Sequence, residues 1–547
     1  MSARCDGHSR CSMAALRMIR RIFLLLVYAL PVAVLALYAL AYLEHGWGVV
    51  SFPYQIDYGE APELNRSVLI ARGQPVYVDW SQPPYQMANY TPLYPSVASI
   101  GLTFRGADFF SGRLVSFLST LATAGLIGSV VLSLGAGRRG AAIGGLLYLA
   151  AHPVWNWGAF QRVDALAVAL ELVGVAIFSY AWVRRQLPWG VWLSVLVFVL
   201  AAYTRQTVAA GAFACYCYLL WRYPRLAFGA IGAYAAFGLG VFGVLQAATG
   251  GQFWRHIGEG NLNRWSWDIF QHYWEPFWRL QHWAFGLAIV GMVASIGGRR
   301  AQIPLLYLAA SAATALTMGK VGSNVNYLLQ LSAALALSVG VTAGEVSWLA
   351  GRLPRLLGPL LHGVLSVWLL VGLQQLFHVP HTVDDASRRQ SMVTGVMEGV
   401  QFAAWPLWRL DPLGAQPATL RDRFRAIYLG EQSTAELDHA RRAHAHVTGI
   451  AGEVLSEDMT FTVTTGRRIY LQPFEFTQLA EQGDWNQTQL LEDVRQRRFG
   501  VVVLRFRLGE DPTWHGERIN APLRQALEAA YRLDAVYGNY FVYRPRE

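Results

Sequence analysis

Residues 162–185 read RVDALAVALELVGVAIFSYAWVRR, an apolar run over 163–183 opened by Arg162 and Asp164 and closed by the basic pair Arg184 and Arg185. An apolar run of about 20 residues is long enough to cross the hydrocarbon core of a bilayer as a helix. A closing end that is purely basic marks the side of the span that faces the cytoplasm. Working outward, comparable runs occupy 22–43, 111–134, 140–155, 188–204, 207–221, 226–248, 284–298, 303–319, 327–346 and 356–377. The fold class is therefore an α-helical polytopic membrane protein with about 11 transmembrane helices.

Orientation follows from alternate loops. The pairs Arg138 and Arg139, Arg184 and Arg185, Arg222 and Arg225, Arg299 and Arg300, and Arg352 and Arg355 fall in every second loop. One miscounted span would throw the later pairs to the wrong side of the membrane, so their agreement supports the whole count. The tail 1–21 is then cytoplasmic. The run 22–43 follows Arg17, Arg20 and Arg21, exceeds a signal-peptide core in length and lacks a small-residue cleavage site after it, so it reads as an uncleaved first span.

Two stretches, 44–110 and 249–283, face outside in this topology. The first is rich in Pro, Tyr and Gln and is expected to form loop with short surface helices. The second carries Trp254, Trp265, Trp267, Trp274, Trp278 and Trp283, a density expected of a segment lying along the bilayer surface. Gly229, Gly232, Gly238, Gly240 and Gly243 in the run 226–248, and the pair Gly140 and Gly144, have the small-residue spacing that lets helix backbones approach closely in lipid.

Composition agrees with a membrane chain: 54% of the 547 residues are hydrophobic and 15% charged. The net charge of +10 comes from short basic pairs between apolar runs, which excludes a continuous nucleic-acid-binding face. Cys5, Cys11, Cys215 and Cys217 form no disulfide framework. The transmembrane domain spans 22–377, and 378–547 reads as an extracytoplasmic soluble α/β domain. In that domain 431–446 and 521–531 are helix-like, 500–506 is a buried strand, and 531–543 is a hairpin turning at Gly538-Asn539.

Ionisable and amide side chains collect at one boundary of the spans. Asp57 and Glu60 follow the first span, Arg113 opens the second, and Arg162 and Asp164 open the fourth. Arg205 and Gln206 lie in the turn between the fifth and sixth, and Lys320, Asn324, Asn326 and Tyr327 between the ninth and tenth. All face outward in the assigned topology, where they are expected to line one site. Taken alone, Asp57 and Glu60 also suit a solvated helix cap, Arg162 with Asp164 an interfacial ion pair, and Arg205 and Lys320 snorkelling anchors. Together, a few carboxylates among fixed cations suit transfer from an anionic phosphate leaving group to a hydroxyl. The carboxylate accepts the proton of the acceptor, and the cations neutralise charge on the departing phosphate. His256-x-x-Glu259 and His272-x-x-Glu275, with His282 near, place metal-ligand types one helical turn apart. Their spacing fixes no third ligand, which leaves a divalent metal open.

The string Asp57-Tyr58-Gly59-Glu60, with Gly73, Tyr77, Asn89-Tyr90-Thr91-Pro92-Leu93-Tyr94 and Gly112-Arg113-Leu114, resembles the membrane glycosyltransferases of the GT-C fold. The similarity is to family 39 and the RgtA/B/C/D-like branch, which includes protein O-mannosyltransferases and the lipid A aminoarabinose transferase. Arg162-Val163-Asp164, Thr204-Arg205-Gln206-Thr207 and Gly322-Ser323-Asn324-Val325-Asn326-Tyr327 are similar to strings in bacterial members. The resemblance implies residence in the bacterial cytoplasmic (inner) membrane, a polyprenyl-phosphate-linked sugar donor, and inverting transfer to an extracytoplasmic lipid, glycan or protein acceptor. It also implies a catalytic acid in the first outer loop, Asp57 with Glu60 as its neighbour. The chain departs from the family in two respects: the common Asp-Glu dipeptide is split by Tyr58 and Gly59, so the base role is open between the two carboxylates, and relatives with about thirteen spans have two more than are counted here, which leaves the placement of the C-terminal domain open. A transporter or flippase is the competing reading, but such proteins carry polar groups near the midplane and repeated halves. A non-catalytic assembly protein whose soluble domain binds polysaccharide is the third.

Overall fold

Every apolar interval read from the sequence holds a helix in the computed structural model, which describes residues 6–294, 299–354, 357–373 and 434–547. The helices are α1 (Asp6–Ser51), α2 (Glu60–Ala71), α3 (Leu93–Arg105), α4 (Phe110–Ser133), α5 (Gly137–Ala150), α6 (His152–Trp157) and α7 (Val163–Ile177). They continue as α8 (Trp189–Ala202), α9 (Ala210–Arg222), α10 (Pro224–Ala248), α11 (Gln252–Ile257), α12 (Trp267–Ala294), α13 (Arg299–Ala315), α14 (Leu328–Ala350) and α15 (Leu357–Leu373). By length and composition, six helical stretches among the described residues can cross a membrane: 28–51, 110–133, 163–184, 224–248, 301–319 and 325–350. α8 and α15 are apolar but shorter. The ends expected near 298 and 377, and the segment 378–433, lie outside the described residues.

A helix that is apolar on every side has to be surrounded by protein or lipid. α14 is buried from Leu328 to Gly344 and forms the axis of the bundle. Its closest neighbour is α5, where Gly140 and Gly144 meet Ala336, Gly340 and Gly344 backbone to backbone. A carbon added at Gly340 would stand 2.8 Å from the Gly140 carbonyl oxygen and 3.0 Å from the Gly144 Cα. Polar glue ties four helices together around Glu171 of α7. Its carboxylate accepts from Gln330 Nε2 of α14 at 2.8 Å, from Tyr307 Oη of α13 at 2.9 Å and from the Gly211 N–H of α9 at 2.7 Å. Interhelical hydrogen bonds and close packing hold helices together where no hydrophobic drive acts between them.

Three expectations change. α10 buries only Ala227 and Ala230; Gly232, Gly238, Gly240 and Gly243 face open space, so of its glycines only Gly229, against the Trp192 ring of α8, meets another helix among the described residues. The Trp-rich stretch is not separate from the span expected after it: 267–283 is the first part of α12, which runs on to Ala294 through Pro276. In the first outer stretch, α2 is not a surface helix. α2 buries Glu60 to Val68, because Ala61, Leu64 and Val68 pack on Met459, Val463 and Ile469 of the C-terminal part.

That part is a mixed sheet with helices, as its sequence pattern suggests. Strands β1 (Glu453–Ser456), β2 (Phe499–Leu504), β3 (Tyr531–Tyr537) and β4 (Tyr540–Pro545) lie in the order β1-β2-β4-β3. β1 runs parallel to β2, and the other pairs are antiparallel. The β3–β4 hairpin turns at Gly538, whose φ of 55° is the left-handed conformation glycine tolerates. The helix expected at 431–446 is Thr434–Thr448, and that at 521–531 is Ala521–Ala530. Residues of the first loop enter this core: Trp80, Tyr85 and Met87 pack with Leu471, Phe476 and Trp485. The Tyr85 N–H donates to the Tyr470 carbonyl at 2.7 Å, and the Gln472 N–H donates back to the Tyr85 carbonyl at 3.0 Å.

Because α5 and α14 meet at bare backbone, Gly340→Val is expected to destabilise the bundle by roughly 1–3 kcal/mol, the usual cost of overpacking. Thermal unfolding of detergent-solubilised protein checks this, and an unshifted midpoint would show that α5 does not sit where described.

Candidate active site

The loop after α1 has to turn sharply, and a buried ion pair turns it. Arg113, at the start of α4, and Glu60, the first residue of α2, both have side chains with 0% exposure. Arg113 Nε and Nη2 donate to Glu60 Oε1 and Oε2 at 2.8 and 2.7 Å. The same guanidinium donates to the carbonyls of Val49, Phe52 and Tyr54, capping the end of α1 and the chain after it. A cation at a helix C-terminus and a carboxylate at a helix N-terminus each oppose the local dipole. Glu60 also accepts from the N–H groups of Ile56 at 2.7 Å, Asp57 at 3.2 Å and Gln161 at 2.8 Å. Burial alone would raise its pKa; Arg113 and these backbone donors outweigh burial and hold it below the ordinary carboxylate range.

Fixing Gln161 beside Glu60 brings Arg162, the next residue, beside Asp57. Arg162 Nη1 lies 3.2 Å from Asp57 Oδ2, with side-chain exposures of 13% and 16%. Gly59 explains how they come so close, since a Cβ at that position would overlap the Arg162 guanidinium. The Gly59 N–H donates to Asp57 Oδ2 at 2.9 Å. Burial raises the Asp57 pKa and the neighbouring Glu60 adds to it, against the opposing pull of Arg162 and the Gly59 N–H.

From Arg162 the polar network runs inward. Its guanidinium lies over the rings of Tyr90 and Trp157, 5.8 and 5.4 Å from their centroids. Trp157 Nε1 donates to Asp164 Oδ2 at 2.9 Å, and Asn326 Nδ2 donates to Oδ1 at 3.0 Å. Asp164 also forms an ion pair with Arg205, whose guanidinium stacks over Tyr327 at 4.3 Å. Lys320 Nζ donates to Asn261 Oδ1 at 2.9 Å; Asn261 and Gln206 both donate to the Asn89 carbonyl, at 2.7 and 2.9 Å. Burial, with Arg205 adding repulsion, pushes the Lys320 amine down to about 8. Asn324 instead caps the short turn Val325–Tyr327 by accepting from the Val325 N–H at 2.8 Å.

Several donors here have no hydrogen-bond partner among the described residues: Arg162 Nε and Arg205 Nε and Nη2, all buried. An unsatisfied buried guanidinium nitrogen is costly, so these groups suit an anionic ligand. The histidine motif has a different use. His256 Nδ1 accepts from the Ala88 N–H at 2.9 Å and Nε2 donates to the Val78 carbonyl at 2.7 Å, so both ring nitrogens are committed to the backbone. Burial holds that imidazole neutral, its pKa lowered to about 4. Among the described residues no three His, Cys, Asp or Glu side chains gather as metal ligands.

The structure adds residues the sequence did not single out. Glu63, 1% exposed, pairs with Arg66, and its Oε2 has no hydrogen-bond partner among the described residues. Burial raises its pKa more than Arg66 and Arg162 lower it. Glu475 comes from the C-terminal part and accepts from Tyr58 Oη at 3.2 Å. The spacing Glu60-x-x-Glu63-x-x-Arg66 on one helix was the available signal for the first; nothing local could have flagged Glu475.

Replacing Glu60 by Gln would leave Arg113 charged and buried without its counter-ion. Glu60→Gln is expected to destabilise the protein by roughly 3–5 kcal/mol, read as a lower unfolding temperature. Since its folded pKa is depressed, the stabilisation from Glu60 is present above the unfolded value of about 4.3 and is lost as pH falls through the folded one. A Glu60→Gln protein as stable as the parent at pH 7 would contradict the pair's structural weight.

No protein-family model matches the sequence, and no curated protein matches it. Solved structures do. ArnT from Cupriavidus metallidurans in the apo state aligns with a TM-score of 0.56 at 14% identity, over 93% of this chain and 97% of that one. ArnT bound to undecaprenyl phosphate aligns over the same shares with a TM-score of 0.55 at 14% identity. The Archaeoglobus fulgidus oligosaccharyltransferase in the apo form gives 0.46 at 12% identity, over 87% of this chain and 69% of that one. The chain shares the fold of ArnT, a GT-C fold, along nearly its whole length.

Proposed function

We propose that the protein is a membrane glycosyltransferase that moves a sugar from a polyprenyl-phosphate donor to a lipid, glycan or protein acceptor on the outer face of the membrane. The observation that carries this reading is the partly exposed Asp57 held against Arg162, beside buried guanidinium donors with no hydrogen-bond partner among the described residues. Asp57 is the base. Burial raises its pKa, which makes it a better proton acceptor than an ordinary carboxylate, whereas Glu60 is enclosed and hydrogen-bonded on both oxygens. The acceptor hydroxyl attacks the anomeric carbon from the face opposite the phosphate, its proton passes to Asp57, and the phosphate leaves as an anion. Arg162, Arg205 and Lys320 stabilise the charge that develops on that leaving group. No acid is needed to protonate it, which sets this chemistry apart from glycoside hydrolysis.

Two facts support the lipid-linked donor. The fold is that of a protein solved with undecaprenyl phosphate bound, and a site on the outer face has no supply of nucleotide sugars. The outward placement rests on the alternating basic pairs: Arg139 and Arg222 sit at the ends of α5 and α9 remote from the site, where they bond His362 and Gln302. The same placement makes 434–547 extracytoplasmic and the N-terminus cytoplasmic.

Asp57→Asn is expected to lower transfer by roughly a hundredfold or more while leaving expression and membrane insertion unchanged. Mass-spectrometric consumption of a panel of undecaprenyl-phosphate sugars by purified protein tests it, and full activity in that variant would remove Asp57 from the mechanism. Lys320→Ala and Arg205→Ala are each expected to weaken binding of undecaprenyl phosphate by about tenfold, or ~1.4 kcal/mol. In the parent protein that affinity should fall as pH rises through about 8, where Lys320 loses its charge, and Lys320→Ala should lack this dependence. Parental affinity in both variants would reject a phosphate-binding role.

A further inference from the structure

We propose that the C-terminal domain positions the catalytic base through a clamp on Tyr58, the residue that follows Asp57, with Glu475, Phe474 and Arg518 as its jaws. The proposal rests on Asp57 being the base and assigns Tyr58 a positioning role.

Four contacts build the clamp. The Phe474 N–H donates to Tyr58 Oη at 2.9 Å, and that hydroxyl donates to Glu475 Oε2 at 3.2 Å. The Tyr58 and Phe474 rings meet edge to face with centroids 6.2 Å apart. On the ring's face lies the Arg518 guanidinium, 4.3 Å from the centroid. Arg518 is itself anchored within the C-terminal domain: Nη1 donates to Glu457 Oε1 at 3.1 Å, an oxygen that also bonds His515 Nδ1 at 2.5 Å. Glu457 is fully buried, and the Arg505 N–H donates to its other oxygen at 2.9 Å.

The strand of chain at 57–59 is thus gripped from two sides. Asp57 and Gly59 abut Arg162 on the bundle side, and Tyr58 is held by the C-terminal domain on the other. A two-residue step in an irregular segment has little stiffness of its own, so removing one grip frees the orientation of the carboxylate. The ring packing sets the tilt of the ring plane; the two hydrogen bonds at the hydroxyl, which lies on the ring axis, set the direction in which that axis points. The phenol is therefore the element that sets how Asp57 faces Arg162, and tyrosine rather than phenylalanine is required.

The charged and titratable groups facing Asp57 are Arg162 before α7, Glu60 of α2, Tyr273 of α12 and Arg518 of the C-terminal domain. Arg162 is the strongest of those that favour the carboxylate form. Loosening the clamp moves Asp57 off Arg162, so proton binding to Asp57 becomes easier and the acid limb of the rate profile moves to higher pH.

The experiment uses full-length protein in lipid nanodiscs, with undecaprenyl-phosphate sugars as the probe. Tyr58→Phe is expected to lower kcat about tenfold without a matching rise in KM. Its acid limb should move up by about one pH unit, the size of shift an opposite charge at this range produces. Glu475→Gln, which keeps an acceptor for the hydroxyl, should lose less than Glu475→Ala. Hydrogen exchange should quicken at residues 57–60 of Tyr58→Phe and stay unchanged in α14, which shows that the fold is intact. A Tyr58→Phe protein with full turnover, or with reduced turnover and an unmoved acid limb, overturns the clamp when Asp57→Asn is inactive. If Asp57→Asn keeps its activity, the catalytic reading itself falls, and unchanged exchange at 57–60 overturns the clamp separately.

Discussion

The arrangement depends on one guanidinium that has no access to water. Arg113 sits at the start of α4 and reaches the end of α1, the chain leaving it and the beginning of α2 at the same time. A buried arginine is tolerable only when its charge is matched and its donors are filled. Glu60 supplies the charge and three carbonyls fill the remaining donors. That requirement dictates the path of residues 49–60, and through the Gln161 N–H on Glu60 it also dictates where α7 begins. Asp57 and Arg162 become neighbours as a consequence, without any attraction of their own having to assemble the site.

This separation of labour explains why two carboxylates three residues apart differ so much. Glu60 is ringed by donors and held ionised; Asp57 has one ion-pair partner among the described residues, Arg162, with one backbone donor and an open side. Burial without full compensation raises a carboxyl pKa, and compensation lowers it. The inserted Tyr58 and Gly59 then have separate purposes. Gly59 leaves room for Arg162, and Tyr58 projects the other way, into the C-terminal domain.

The first loop and the C-terminal domain form one packed body although some 400 residues separate them in the chain, as the bond from Gln86 Nε2 to the Ile469 carbonyl illustrates. Tyr85 extends the edge of that domain by a strand-like pair with Leu471, and α2 is buried under Met459 and Ile469. The site lies at the seam, so each of the two parts supplies groups the other lacks.

The sequence by itself determined the helical intervals, because the cost of exposing backbone polar groups to lipid leaves an apolar run no alternative to a helix. It also determined the close contact at Gly140 and Gly144, and the hairpin at Gly538, since only glycine permits them. The candidate polar residues were legible as charges at the rim of apolar runs, where placing them is expensive. What they do to one another was not. Only the tertiary structure decided that Glu60 is enclosed by Arg113, that His256 serves the backbone, and that α10 leaves Gly232, Gly238, Gly240 and Gly243 uncovered among the described residues. Only it brought Glu63 and Glu475 to the site. Local pattern reports what a residue costs in a given medium, whereas pairing depends on contacts between segments remote in the chain, which no local spacing encodes.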